Sequence, residues 1–347
     1  MKKTGGILWI AIFVFCGIGT LGIVHEEKNL FAEMIGNQKR IPLNLLVVQD
    51  TLINSTLTGS GDIMVIRPTS AVSVIFKNNR ISANNTNEHI VLFGGEQTSP
   101  SDHMLDGITI AGNKIEWTGS DLTDSNEGLL IGYCVNATIR YNLIRNCPYG
   151  TPTKSDGFTY TSGGVSYNVY GPSFKVGTGA KGTNGVRFCN NTFSNNRNIG
   201  EGVVGSVYIN SNNDIPSKPA STNCRIFNNL FYTRHQIPNV YCDNPSLPGL
   251  QCDYNVYYCE DGEPVFKIGG KTITLTQWKA MGYDRHSVVV NPNFTDLDRL
   301  VPSKPLNYGK NLGATFKNGL DVETRWDGSD PILKPQGPIW QVGAFVK

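Results

Sequence analysis

The stretch GVRFCNNTFSNN, residues 185–196, puts apolar side chains on alternate positions, breaks at a pair of asparagines and resumes beyond them. Period-two alternation marks a half-buried strand, and Asn tolerates the left-handed backbone of a tight turn. The stretch therefore reads as strand, turn, strand. The same text recurs. VIFKNNRI at Asn79, ITIAGNKI at Asn113, TIRYNLI at Asn142, GVSYNVY at Asn168, CRIFNNLF at Asn229 and CDYNVYY at Asn255 join VRFCNNTF at Asn191. The intervals between these asparagines are 34, 29, 26, 23, 38 and 26 residues. The shortest approaches one coil of a parallel solenoid, and the longer ones are coils carrying loops.

Stacked coils would set the asparagines above one another, with each side-chain amide donating to the next. One coil cannot bury its apolar face alone, but neighbouring coils bury it together. A third strand is expected before each copy: HIVLFGG (89–95), EGLLIGY (127–133), DGFTYTS (156–162), SFKVGTG (173–179) and GSVYINS (205–211). Three strands per coil, joined by crossovers of the usual hand, predict an all-β chain built as a right-handed parallel β-helix. The Asn190-Asn191-Thr192 match to a glycosylation acceptor follows from the turn composition and carries no separate meaning.

Composition narrows the function classes. Hydrophobic residues make up 39% and charged residues 17%, which describes an ordered chain rather than a disordered one. A net charge of +2 calls for neither nucleic acid nor an acidic membrane surface as partner, and a monomer is expected. Lys2 and Lys3 precede an apolar run over residues 7–24, followed by Glu26 and Glu27. That order predicts a signal peptide or membrane anchor, with the remainder exported to the periplasm, cell surface or medium. Residues 1–40 form this leader, 41–262 the β-helix, and 263–347 a short helix and an extended capping strap. The helix is read in TITLTQWKAMG, residues 272–282, ending at Gly282. Of eight cysteines, Cys242, Cys252 and Cys259 are placed to supply one disulfide in an oxidising compartment, whereas Cys134 and Cys189 read as buried apolar residues.

The C-terminal text is distinctive: TLTQWKAMGYDRHSVVVNPNF, then RLVPSKPLNYGKNLG, then WQVGAFVK. With the Asn repeats, it resembles the pectate-lyase-like superfamily of secreted right-handed β-helix proteins, over residues 44–347. The resemblance implies the β-helix architecture and an association with polysaccharide breakdown. Lyases of that superfamily use Lys or Arg as base, often with calcium.

Candidate chemistry lies in the interruptions, because loops on a rigid scaffold carry sites. Lys154, Ser155 and Asp156 precede the DGFTYTS segment. If Phe174 and Val176 point inward, Lys175 points out; if Val207 and Ile209 point inward, Tyr208 points out. Glu127 heads the strand of the preceding coil. Glu127, Lys154, Asp156, Lys175 and Tyr208 are therefore expected near one face. Such a set suits β-elimination from a uronate: a cation neutralises the substrate carboxylate, and Lys154, Lys175 or Tyr208 removes the α-proton. Asp156, Glu127 and Asp124 supply oxygen ligands of the kind Ca²⁺ prefers. An esterase-like pairing of Asp156 with Arg187 is the other catalytic arrangement, and Asp102, His103 and Asp106 form a further metal candidate. His235 and His286 read as solitary and structural. No Asp-Asp pair and no Gly-x-Ser-x-Gly elbow occurs. The partner implied is an acidic polysaccharide, cleaved by a lyase. The alternatives are a non-catalytic glycan-binding β-helix and a phage-type or adhesin spike. In those, Lys154 and Asp156 are an exposed turn pair and Lys175 a solvated sheet residue.

Overall fold

The computed structural model describes residues 12–15, 20–23, 50–53, 56–60, 64–66, 74–85, 89–93, 105–118, 127–131, 134–145, 159–162, 165–168, 174–176, 183–195, 206–209, 220–234 and 236–347. Among these, three sheets of seven, eight and eight strands run side by side, and in each the strands are stacked in chain order. The first sheet contains Val74–Lys77, Thr109–Ala111, Thr138–Arg140, Arg187–Cys189, Arg225–Phe227 and Gln251–Asp253. After a two-residue turn the chain enters the second sheet, as in Lys114–Trp117, Leu143–Arg145, Thr192–Asn195, Leu230–Thr233 and Val256–Cys259. A longer connection leads to the third, which includes Glu127–Ile131, Phe174–Val176, Val207–Ile209, Pro238–Cys242 and Val265–Ile268. Strands from successive coils pair in parallel. The molecule is a parallel β-solenoid.

Its core is a set of aligned columns. Phe76, Ile110, Ile139, Phe188, Ile226 and Cys252 follow one another in register on the first sheet, and all are buried. Ile81, Ile115, Ile144, Phe193, Phe231 and Tyr257 do the same on the second. Like side chains stack on like: the Phe193–Phe231 and Phe231–Tyr257 ring centroids are 5.0 and 5.1 Å apart.

The turn between the first and second sheets divides two tasks between two residues. Asn78, Gly112, Tyr141, Asn190, Asn228 and Tyr254 each take a positive φ. At Gly112 (φ +68°) a Cβ would lie 2.6 Å from Asn78 Oδ1, so a larger residue there would have to displace the Asn78 side chain. The residue after each, Asn79, Asn113, Asn142, Asn191, Asn229 and Asn255, is wholly buried. Each of the first five donates its Nδ2 to the Oδ1 of the next, at 2.9 to 3.2 Å. Their backbone N–H groups donate to the same oxygens. From Asn113 onward, Nδ2 also donates to a backbone carbonyl of the preceding coil.

Asn168 is not a rung. Asn142 bonds directly to Asn191, 49 residues on. Thr159–Ser162 and Val165–Asn168 instead form an antiparallel hairpin outside the three main sheets. The expected third strand at 156–162 is corrected in the same way: its alternation belongs to a hairpin carried on a long coil.

The ladder ends on Asp284, which is fully buried with φ +47°. Its carboxylate accepts from Asn255 Nδ2 (2.9 Å), Tyr257 Oη (2.8 Å), Trp278 Nε1 (2.6 Å), the Cys252 thiol (3.0 Å) and the Ser287 hydroxyl. Burial, then the Asp284 charge, holds the Tyr257 phenol and the Cys252 thiol well above their ordinary ranges. Trp278 stacks on Phe266 at 5.0 Å and closes the end of the core. It sits on the helix Leu275–Ala280, started by a reciprocal Thr274–Gln277 cap. The helix is shorter than residues 272–282 because Lys271–Thr274 pairs antiparallel with Val265–Ile268.

From there the chain returns along the turn edge as a strap. Leu300, Val301, Leu320, Trp326, Ala344 and Phe345 cover Ala111, Tyr141 and Leu143, while Leu306 and Val342 cover Leu230 and Val256. The left-handed asparagines hold it: Asn190 Nδ2 donates to Phe316 O (3.1 Å) and Asn228 Nδ2 to Lys310 O (2.8 Å). Asn190, the acceptor position of the glycosylation match, is thus buried in this contact. Lys114, 2% exposed, bridges Glu116 (3.1 Å) and the strap's Asp298 (3.0 Å), and Arg145 also reaches Asp298.

Cys134, Cys189, Cys224, Cys242, Cys252 and Cys259 are all free and buried. The expected disulfide among Cys242, Cys252 and Cys259 does not form; Cys242 and Cys252 belong to core columns on different sheets, and the Cys259 thiol donates to Arg234 O and Asp261. In the leader, Ile12–Phe15 pairs antiparallel with Thr20–Ile23, and no described helix is long and apolar enough to cross a membrane.

Removing the Asp284 carboxylate strands several buried donors. Asp284→Ala is expected to lower unfolding free energy by about 3 kcal/mol or more, read by urea denaturation against the parent protein. A loss under about 0.5 kcal/mol, the level of an ordinary surface change, would show that the ladder needs no acidic terminus.

Candidate functional site

Each third-sheet strand repeats a triplet of apolar, variable, apolar residues. Phe174-Lys175-Val176, Val207-Tyr208-Ile209, Val240-Tyr241-Cys242 and Phe266-Lys267-Ile268 occupy successive rungs. Val207, Ile209, Val240 and Cys242 are fully buried, so the central residue of each triplet falls on the outer face. Tyr208, Tyr241 and Lys267 therefore form one outward column, and the backbone of Lys175 takes the next rung of the same register. With rungs ~4.8 Å apart, the two lysines stand ~14 Å from each other with both tyrosines between them.

The described side chains interact along the column. The Tyr208 and Tyr241 rings stack with centroids 4.5 Å apart and planes 14° from parallel. Lys267 Nζ lies 5.0 Å from the Tyr241 ring centroid, a cation–π contact. A register shift between Pro238 and Tyr241 irregularly spaces this strand against Val265–Ile268 and sets Tyr241 opposite Lys267. Burial, followed by the nearby Asp243 carboxylate, raises the Tyr241 phenol above its ordinary value. Burial lowers the Lys267 ammonium. The phenol is thus a better proton donor than base at neutral pH, and the lysine reaches its neutral form more readily than an exposed one.

Lys175 and Tyr208, expected on one face, occupy adjacent rungs of this column. Only the backbone of Lys175 is described. The backbone of Glu127 pairs with His89, three residues before the Leu130 that pairs with Lys175. Arg187 is on the first sheet, between Thr138 and Arg225, and does not join Tyr208. A strand beside the Asn turn cannot share a face with one that follows the second-sheet strand. Lys154, Asp156 and Asp124 lie outside the described residues, as do Asp102, His103 and His235. Asp106 is exposed and accepts from Asn136 Nδ2 at 3.0 Å. Among the described residues no three His, Cys, Asp or Glu side chains converge as metal ligands would.

Tyr241 and Lys267 were missed from sequence, although their triplets repeat the pattern that identified Lys175 and Tyr208. His286 is not solitary: its Nδ1 lies 2.7 Å from Asp253 Oδ2, and its ring stacks on Tyr254 at 4.6 Å.

Comparison with known proteins finds no matching family model, no matching curated protein and no matching solved structure.

A cationic, aromatic column can hold an extended polyanion, and its pH dependence follows from Lys267. Because burial lowers that pKa, Lys267 sheds its proton at a lower pH than an exposed lysine. Attraction for a polyanion is expected to fall as pH rises through that lowered value. Polygalacturonate binding measured in steps from pH 7 to 10 checks this: Lys267→Arg is expected to retain affinity at the upper end, and Lys267→Gln to bind weakly throughout. Equal affinities in all three proteins would remove Lys267 from the surface.

Proposed function

We propose that this chain is an exported, right-handed β-helix protein with three strands per coil, akin to the pectate-lyase-like superfamily, and that it cleaves a uronate-containing polysaccharide by β-elimination. The observation that carries this is the register of Lys175, Tyr208, Tyr241 and Lys267 on the outer face of the third sheet. It is supported by the placement of the longest connections. The longest of them, residues 146–173, leads from the second sheet into the strand that carries Lys175, and Lys154 and Asp156 belong to that connection in sequence.

In the reaction proposed, one lysine ion-pairs with the substrate carboxylate and makes the α-proton more acidic. A second lysine, neutral at that moment, takes the proton. The electron pair forms the carbon–carbon double bond as the glycosidic C–O bond breaks, and the departing oxygen receives a proton from Tyr208. Lys175 is assigned the base and Lys154, on the loop leading into its strand, the carboxylate of the same uronate, while Lys267, three rungs away, holds the carboxylate of a residue farther along the polymer. Calcium would assist by neutralising the carboxylate through Asp156 and Asp124. Glu127, at the start of a neighbouring third-sheet strand, is the third oxygen ligand of that proposed set, and no step above depends on the metal.

The test is absorbance at ~235 nm, where an unsaturated uronate product absorbs, on pectate, alginate and glycosaminoglycans with and without Ca²⁺. A rise that Lys175→Ala reduces by about 100-fold or more is expected, the scale of losing a general base. No rise from folded protein on any substrate would overturn the lyase assignment. It would leave the glycan-binding alternative, which the stacked Tyr208–Tyr241 pair favours.

A further inference from the structure

A second recess lies away from the third sheet, where the strap crosses the first. Its volume is about 440 Å³, within the range of small-molecule sites. The solenoid contributes Lys77, Arg140 and Tyr141; the strap contributes Thr315, Asp330 and Leu333. Lys77 and Arg140 both flank Ala111 in register, two rungs apart and so ~10 Å from each other along the sheet.

Arg140 is held in place. Its Nη1 donates to Thr315 O, and its guanidinium carbon sits 5.2 Å from the Tyr141 ring centroid. Its Nε is shut away from solvent with no hydrogen-bond acceptor. Tyr141 is itself fixed by the left-handed turn, at φ +41°. The wall therefore combines two cations, one carboxylate, and the apolar surfaces of Tyr141 and Leu333.

We infer that this recess binds a small sugar acid, one uronate residue in size. The ligand's carboxylate pairs with Arg140 and Lys77, which together outweigh the single Asp330 charge. Asp330 accepts from the sugar hydroxyls, and the apolar face of the ring lies against Tyr141 or Leu333. A guanidinium held in place by the strap keeps its charge at every working pH and so presents a fixed positive partner to a carboxylate. The site is built by a different sheet from the column above, and its occupancy requires no bond to be broken.

Isothermal titration of the full chain with D-galacturonate, D-glucose and sodium sulfate tests this. Saturable galacturonate binding is expected, with glucose and sulfate each at least tenfold weaker. Lys77→Gln is expected to weaken galacturonate at least fivefold while melting at the parent temperature, which avoids relying on Arg140, itself a strap contact. Arg140→Lys, also checked by melting, should weaken it further. No galacturonate binding would overturn the site, as would affinity untouched by Lys77→Gln. Equal affinity for glucose would remove the role of the cations, and equal affinity for sulfate that of the sugar. Because titration reads binding without elimination, failure here leaves the lyase proposal standing, and the reverse also holds.

Discussion

A side-chain amide sealed inside a protein must find partners, and in this chain each one finds them on neighbouring coils. The column from Asn79 to Asn255 joins six rungs through Nδ2 to Oδ1 bonds, with backbone amides donating to the same oxygens. Slipping one coil by a residue would break these bonds and turn its core side chains outward. The ladder thus fixes the register of all three sheets at once. A row of amides still needs an acceptor for its last donor, and Asp284 supplies it while binding the aromatic plug over the final coil.

Register is also what gives the surface its chemistry. A solenoid repeats position as well as shape, so like residues at like positions become columns. On the third sheet the repeated triplet places Lys175, Tyr208, Tyr241 and Lys267 in line. At the Asn turn the same repetition yields a second set of side chains, Asn190 and Asn228, that hold the strap. One asparagine of each pair bonds along the stack and the other across to the C-terminal segment, which is why NN recurs where the strap is tied down.

Much of this was legible in the sequence because it rests on local patterns: period-two alternation, the Asn turn, and inward Val207 and Ile209 around outward Tyr208. What was misread had the right local pattern in the wrong topology. GVSYNVY alternates as the true rungs do, but a strand in an antiparallel hairpin alternates identically, and only long-range pairing separates them. Cys242 and Cys252 are close in sequence and assigned to different columns of one core. Tyr241 and Lys267 went unnoticed because the triplets containing them follow the last coil whose third strand had been sought.

Equilibrium unfolding of Asn191→Ala beside Asn168→Ala tests the ladder most directly. Asn191 accepts from Asn142 and donates to Asn229 and Ile139, all inside the protein. If the ladder holds the solenoid, Asn191→Ala loses about 2–3 kcal/mol of stability, while Asn168→Ala stays within about 0.5 kcal/mol of the parent. Equal losses, or a larger one at Asn168, would contradict both the ladder and the order of coils built upon it.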